Sequence, residues 1–235
     1  MKAIILAAGL GKRMMPLTQD LPKPMLKVLG KTIIDYNLEA VSEHADRIII
    51  VIGYLGEKIK KHYGNEYNGI PISYAEQKEQ LGTGHAIMCA VKHIDSDEKF
   101  IILLGDNYID FSMLKDVFEL DYCVIAQEIP KGKEKEFGII KTDEYGNIIE
   151  IEEKPKTPKT QLANTGIMVM DKKIINLMEN HGKSPRGEYE ITDALNTLVK
   201  TEKVKCIKIN EGWIPLSYPE DLKKLEKYLK NHNKK

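Results

Sequence analysis

The chain has 235 residues, 42% hydrophobic and 30% charged, the make-up of a globular protein with one large α/β domain. Its 35 Lys and Arg balance 35 Asp and Glu, so charge asks for neither nucleic acid nor an anionic membrane, and no stretch approaches the roughly 20 apolar residues of a spanning helix. Three cysteines, Cys89, Cys123 and Cys206, lie far apart without a Cys-x-x-Cys, which excludes a disulfide framework and sets the expectation of a reducing, cytoplasmic compartment.

In chain order, the apolar run from Ala3 to Leu6 reads as a buried first strand, too short and too quickly followed by Gly11-Lys12-Arg13 for a signal peptide. A long loop from Gly9 to about Leu29 follows. Thr32 caps a helix with Ile33, Ile34, Asn37, Leu38 and Val41 on one face. Arg47 to Ile52 is a fully apolar strand, as expected where helices cover both faces of a sheet. Gly56 to Tyr63 is a short helix and Ile70 to Tyr74 a short strand. A second Gly-rich turn, Gln77 to Ala86, opens a helix, and Phe100 to Leu104 is a buried strand ending in Gly105-Asp106. This alternation is that of a mostly parallel, Rossmann-like doubly wound α/β sheet.

The second half changes character. Tyr122 to Gln127 is strand-like. Phe137 to Ile140 and Ile148 to Ile151 flank the turn cluster Asp143 to Asn147 and read as an antiparallel hairpin, a small subdomain on the sheet. Thr165 to Met170 is a strand, and a helix from about Tyr189 aligns Ile191, Leu195, Leu198 and Val199. Strand Val204 to Ile209, a loop at Trp213 and a helix with Leu222, Leu225 and Leu229 in register close the chain. Lys223, Lys224, Lys227, Lys230, Lys234 and Lys235 make that end basic, a solvated helix face. With no repeat and no Gly/Ser-rich linker, 1–235 reads as one domain of two halves, about 1–120 and about 121–235.

A strand that opens into Gly9-Leu10-Gly11-Lys12-Arg13 is a place for phosphates, since glycines let backbone N–H groups approach and the cations neutralise charge. A Rossmann fingerprint fails because position 14 is methionine, and a P-loop fails because Lys12 is followed by Arg13. The longer string resembles the sugar-1-phosphate nucleotidylyltransferases, whose opening reads L-A-A-G-x-G-[TK]-R, then P-L-T, then P-K-[PV]. Leu6 to Arg13, Pro16-Leu17-Thr18 and Pro22-Lys23-Pro24 match it nearly position for position. The resemblance implies the nucleotide-diphospho-sugar transferase fold. It also implies that Leu6, Ala7, Ala8, Gly9, Gly11, Lys12 and Arg13 bind the nucleotide. Arg13 would hold the triphosphate, Lys23 would bridge the reacting phosphates and Asp106 would bind Mg²⁺, the three catalytic candidates.

Gln77 with Gly82-Thr83-Gly84-His85-Ala86 looks like the base-reading segment of the N-acetylglucosamine-1-phosphate uridylyltransferases. Uracil presents an acceptor–donor–acceptor edge, and a Gln amide with glycine backbone supplies the complements, so Gln77, Gly82 and Thr83 are base-binding candidates and UTP the first nucleotide. The amide can flip, so Gln77 alone excludes neither thymine nor cytosine. His85 belongs to no metal-spaced pair and reads as structural.

By the same resemblance, Glu153 and Asn164 hold sugar hydroxyls, Gly138 offers its backbone, Thr192 lines the pocket and Lys154 meets the sugar phosphate; Glu152 rivals Glu153, since alternate strand residues face opposite ways. N-acetylglucosamine-1-phosphate or glucose-1-phosphate is the implied sugar. The bifunctional members of the family append a β-helix acetyltransferase; only one helix follows Val204 to Ile209, so acetyl transfer is not expected. A homo-oligomer stays open.

One segment departs. The family carries W-[LIV]-D-x-G near the C-terminus, with a second metal ligand at the aspartate, where this chain reads Trp213-Ile214-Pro215-Leu216-Ser217. Either Asp106 holds the metal with phosphates and water, or another carboxylate such as Glu211 stands in, or activity is weak or lost. A transferase using dTTP, CTP or GTP, or another phosphorylated alcohol, and a non-catalytic nucleotide-sugar-binding regulatory protein remain as alternatives.

Overall fold

The computed structural model describes residues 1–95, 98–113 and 117–232. Its first half runs through β1 (Lys2–Ala7), the hairpin β2 (Lys27–Val28) and β3 (Lys31–Thr32), α1 (Ile33–Val41), β4 (Arg47–Ile52), α2 (Gly56–Tyr63), β5 (Glu66–Tyr67), β6 (Ile70–Glu76), α3 (Gly82–Cys89), β7 (Phe100–Leu104) and β8 (Asn107–Ile109). β1 pairs in parallel with β4 on one side and β7 on the other, and β4 pairs in parallel with β6. Ala3, Ile5 and Ala7 pack with the buried residues of α1 and α2, while Ile4 packs on the opposite face with Ala86 and Ile87 of α3. Both faces are therefore covered, which is why these strands are apolar almost throughout.

The chain winds from β1 outward to β4 and β6, then returns past β1 to β7. The winding direction reverses between β1 and β7. At such a switch point the loops leaving the strands part to opposite sides and leave a crevice beyond their carboxyl ends. The Gly-rich loop after β1 and Asp106 after β7 flank this crevice.

The second half contains β9 (Cys123–Glu128), β10 (Gly138–Thr142), β11 (Ile148–Glu153), β12 (Leu162–Met170), α4 (Lys173–His181), α5 (Ile191–Leu198), β13 (Lys205–Ile209), β14 (Trp213–Pro215) and α6 (Pro219–His232). The end of β12 joins β7 antiparallel, and its start meets β10, so the predicted hairpin β10–β11 continues the main sheet instead of lying on it. β12 can serve two neighbours because its pairing with β9 breaks register between Asn164 and Met168. Gly166 sits in that break at φ +80°, where a Cβ would run into Leu104. The result is the expected mixed fold, a doubly wound parallel centre with antiparallel additions.

Most elements fall where the sequence puts them. α1 starts at a complete capping box: Asp35 N–H donates to Thr32 Oγ1 (3.0 Å) and Thr32 N–H to Asp35 Oδ2 (2.7 Å). The short strands β2, β3, β5 and β8 are not in the sequence reading, and two further elements differ. α4, with Ile174, Ile175 and Met178 buried, is a helix the reading above does not assign. The Trp213 loop is strand β14, paired antiparallel with β8. In the predicted C-terminal face, Lys234 and Lys235 lie outside the described residues. Among the described residues, no helix is long and apolar enough to cross a membrane.

Candidate active site

The phosphate end is built by the loop after β1. Gly11 adopts φ +62°, and a Cβ there would press on Lys23 Cβ and Thr18 Cγ2, each at 3.1 Å; only glycine lets the loop close this tightly. Thr18, fully buried, ties it from the far side by donating from its hydroxyl to the Gly11 carbonyl (2.8 Å). Lys12 and Arg13 are left exposed around a hollow of about 260 Å³ shared with Gly11, Met14, Lys23 and Ser217.

Lys23 reaches from this loop into the crevice, where its Nζ lies 2.6 Å from Asp106 Oδ2. Their side chains are 14% and 36% exposed, so the pair sits at the mouth of the crevice in reach of a ligand. A main cleft of about 370 Å³ opens there, lined by Leu6, Ala8, Gly9, Gly11, Lys23, Pro24, Gln77, Gln80, Gly82, Thr83, Ala86, Leu104, Asp106 and Glu188. Most of the nucleotide candidates line one of these two hollows. Ala7 does not; its side chain is buried in the core under α1. Gln80 and Glu188 were not singled out from the sequence, although Gln80 lies inside the Gly-rich turn from Gln77 to Ala86 that was.

At the base end, Gln77 leaves the carboxyl end of β6 and is 4% exposed. Its amide nitrogen lies 3.1 Å from the Gly82 carbonyl and 3.1 Å from His85 Nδ1. The segment before α5 clamps this corner: Gly84 N–H donates to Tyr189 O (3.0 Å) and Tyr189 N–H to Leu81 O (2.8 Å).

The sugar candidates converge although the sequence scatters them. Gly138 stands opposite Glu153 in the β10–β11 register. A Cβ on Gly138 would lie 3.1 Å from Glu153 Oε2, 3.4 Å from Thr192 Cγ2 and 3.7 Å from Asn164 Cβ. Thr192 Oγ1 is buried without a hydrogen-bond partner among the described residues, an uncommon state that leaves its capacity for a ligand. Glu153 is half-buried while Glu152 is exposed, so of the two rivals Glu153 is the one beside Gly138. Lys154, at φ +47°, folds back to 3.4 Å from Glu153 Oε1. Arg186, which the sequence reading did not single out, comes within 3.6 Å of the same oxygen and donates to Glu190 (2.6 Å).

β14 explains the departure at Pro215. Pro215 faces Asn107 across the β8–β14 ribbon, and the next N–H, of Leu216, donates to the Asp106 carbonyl (3.2 Å). The proline is therefore beside Asp106. Glu211 is not: at the other end of the ribbon Asp110 N–H meets Gly212 O, roughly 13 Å along the strand from Asp106, and Glu211 faces His232 at 3.6 Å. That distance removes Glu211 as a stand-in ligand. Among the described residues, no group of three or more His, Cys, Asp or Glu could hold a metal by itself.

Ser217 and Tyr218, beside Arg13, are pinned by the buried Asp221, which accepts from their N–H groups at 2.9 and 2.8 Å and from Lys224 Nζ at 2.7 Å. Burial opposes the charge on Asp221, but Lys224 and the two N–H groups outweigh it and hold the carboxyl below its usual range. With its folded pKa depressed, Asp221 contributes stability fully above the unfolded value near 4, and that stability is lost as pH falls through the folded one. Asp221→Ala is expected to cost about 1–2 kcal/mol at pH 7, with the gap closing as pH falls through the depressed folded pKa. Melting temperatures of both forms against pH check this; a gap that stays constant as the pH is lowered through the acid range would contradict it.

Comparisons with known proteins point to one family. A family model described as nucleotidyl transferase matches residues 2–234. The chain is 40% identical over 229 residues to the bifunctional protein GlmU of Methanocaldococcus jannaschii, covering 97% of this chain and 54% of that protein. It is 37% identical over 238 residues to the UTP–glucose-1-phosphate uridylyltransferase AglF of Haloferax volcanii, covering 97% and 96%. The chain thus spans about half the length of the bifunctional relatives and nearly all of AglF. Among solved structures, a UDP-glucose pyrophosphorylase complexed with UDP-glucose superposes with a TM-score of 0.87 at 25% identity, over 98% of this chain and 99% of that one. A putative glucose-1-phosphate thymidylyltransferase from Bacillus anthracis superposes at 0.85 and 27% identity, over 97% and 94%.

Proposed function

The chain belongs to the nucleotidyl transferase family, and from that premise we propose that it joins a sugar-1-phosphate to a nucleoside triphosphate and releases pyrophosphate. The observation that carries this reading is the meeting of Lys23 and Asp106 at the switch-point crevice, between the phosphate loop and the Gln77–Gly82 corner. UTP is the proposed nucleotide, supported by Gln77 and by the likeness to AglF, a UTP–glucose-1-phosphate uridylyltransferase. Glucose-1-phosphate or N-acetylglucosamine-1-phosphate is the proposed sugar, held by Gly138, Glu153, Asn164 and Thr192, so residues about 1–120 take the nucleotide and about 121–235 the sugar.

A sugar-phosphate oxygen attacks the α-phosphorus in line, and the bond from that phosphorus to the departing pyrophosphate oxygen breaks. No protein nucleophile is required; the chain orients the two substrates and neutralises their charge. Lys23 bridges the reacting phosphates, Lys154 meets the sugar phosphate, and Arg13, whose Cζ lies 5.8 Å from the Tyr218 ring centre, holds the leaving pyrophosphate. Asp106 fits Mg²⁺, because only one of its carboxylate oxygens has a protein partner among the described residues, and Mg²⁺ takes one or two carboxylates with phosphate oxygens and water. Bound there, the metal would neutralise charge across the phosphates. Arg13→Ala is expected to lower turnover about 10²-fold with no loss of fold; wild-type turnover would remove Arg13 from the reaction.

Pro215 beside Asp106 supports a second reading, a non-catalytic binder of nucleotide sugars. One assay separates the two: pyrophosphate release from UTP, dTTP, CTP and GTP against a set of sugar-1-phosphates, with and without Mg²⁺. Metal-dependent release with UTP supports the transferase. Release with another nucleotide keeps the transferase and overturns UTP. Nucleotide binding without release from any pair supports the binder.

A further inference from the structure

Gln77 and His85 together hold more information about the nucleotide than either motif alone. One end of the Gln77 carboxamide faces both the Gly82 carbonyl and His85 Nδ1, each at 3.1 Å. A carbonyl oxygen only accepts, so that end is the NH₂, and its two hydrogens have one acceptor each. His85 Nδ1 is then unprotonated and the ring proton sits on Nε2, 4.0 Å from Cys89 Sγ one turn along α3, a weak acceptor. The ring stacks on Tyr189 at 5.8 Å and 24°, and Tyr189 is itself tied to α3 through its main chain. Turning the carboxamide over would set its oxygen against the Gly82 oxygen. Oε1 is left as the atom without a partner among the described residues, on a side chain that lines the main cleft.

We propose that His85 is a positioning residue that locks Gln77 with its oxygen toward the nucleotide, so that the site accepts a pyrimidine with a ring N–H, uracil or thymine, and rejects cytosine. Uracil and thymine present N3–H to this oxygen. Cytosine presents a lone pair there, and two lone pairs would face each other in a water-poor corner. Without His85 the second amide hydrogen loses its acceptor, and only the Gly82 carbonyl still opposes the turn that would offer NH₂ to cytosine. The inference rests on the nucleotide occupying the main cleft, as in the transferase reading.

The test is calorimetric binding of UTP and CTP to the full chain with Mg²⁺ and no sugar phosphate. Wild type is expected to prefer UTP. His85→Phe keeps a ring against Tyr189 but has no acceptor, and is expected to lower the UTP-to-CTP affinity ratio roughly 5- to 100-fold. His85→Asn puts an oxygen near the place of Nδ1 and is expected to restore most of the ratio. In a Gln77→Ala background, His85→Phe is expected to change the ratio no further. If His85→Phe does not fold, His85→Leu reads the same ratio. A ratio unmoved by loss of the acceptor overturns the proposal, as does a wild type that binds both nucleotides equally or neither. A wild type that prefers UTP yet releases no pyrophosphate with any sugar phosphate refutes the transferase reading, and the variants then decide on His85 alone.

Discussion

Lys23→Ala is expected to lower kcat by about 10²–10³ while leaving the fold intact. The two halves of that expectation come from different parts of the structure. The Lys23 side chain is less exposed than those of Lys12, Arg13 and Lys154, the other candidate phosphate-binding cations, and phosphoryl transfer leans on such cations because charge shifts among phosphate oxygens as the reaction proceeds. Its partner Asp106 is about one-third exposed, so the ion pair is solvent-screened and contributes under about 1 kcal/mol to stability. The loop does not depend on it either, since Gly11 and Thr18 are already tied together. Turnover should therefore collapse with a melting temperature within a few degrees of wild type. Lys23→Arg should recover only part of the rate, because a planar fork does not reproduce a point charge. Wild-type turnover in Lys23→Ala would take Lys23 out of the reaction; a large drop in melting temperature would recast it as structural.

How much of this site could be read from the chain depended on distance along it. The first strand and the Gly-Lys-Arg loop are contiguous, and a strand covered on both faces advertises itself by an unbroken apolar run such as Ile48–Ile52. Asp106 was legible for the same reason, as the residue leaving another such run. The meeting of Gly138, Glu153, Asn164 and Thr192 was not: no local period links two strands of a hairpin, a third strand and a helix start, and only a resemblance to a family named them together. β14 escaped because three residues carry no alternation and Pro215 argues against a strand unless it sits where no ladder N–H is needed. α4 carried a usable signal in Ile174, Ile175 and Met178, but at two turns it is near the lower limit of what periodicity separates from a loop. The coupling of His85 to Gln77 lay hidden because a histidine at the start of a helix shows nothing in sequence of what its ring nitrogens face.

Asp106→Asn is expected to reduce kcat by about 10³ and to raise the Mg²⁺ concentration for half-activation more than tenfold, and here Pro215 decides the size of the effect. Asparagine has the shape of aspartate and can still accept from Lys23, so the substitution removes charge with little change in packing. In a site with two carboxylates the second would retain part of the metal affinity. In this chain the neighbouring position on β14 is a proline, Glu211 lies at the far end of the ribbon, and no group of three or more His, Cys, Asp or Glu among the described residues could hold a metal by itself. With substrate phosphates and water as the remaining ligands, the loss should fall on metal affinity as well as on rate. Pro215→Asp is then expected to act in the opposite sense, lowering the Mg²⁺ requirement of the wild-type background and partly rescuing Asp106→Asn. Mg²⁺ titrations of pyrophosphate release in the four forms check both expectations. If Asp106→Asn keeps its rate and metal dependence, Asp106 is not the metal's carboxylate. If Pro215→Asp alone confers activity on an otherwise silent chain, the natural protein is the binder and not the enzyme.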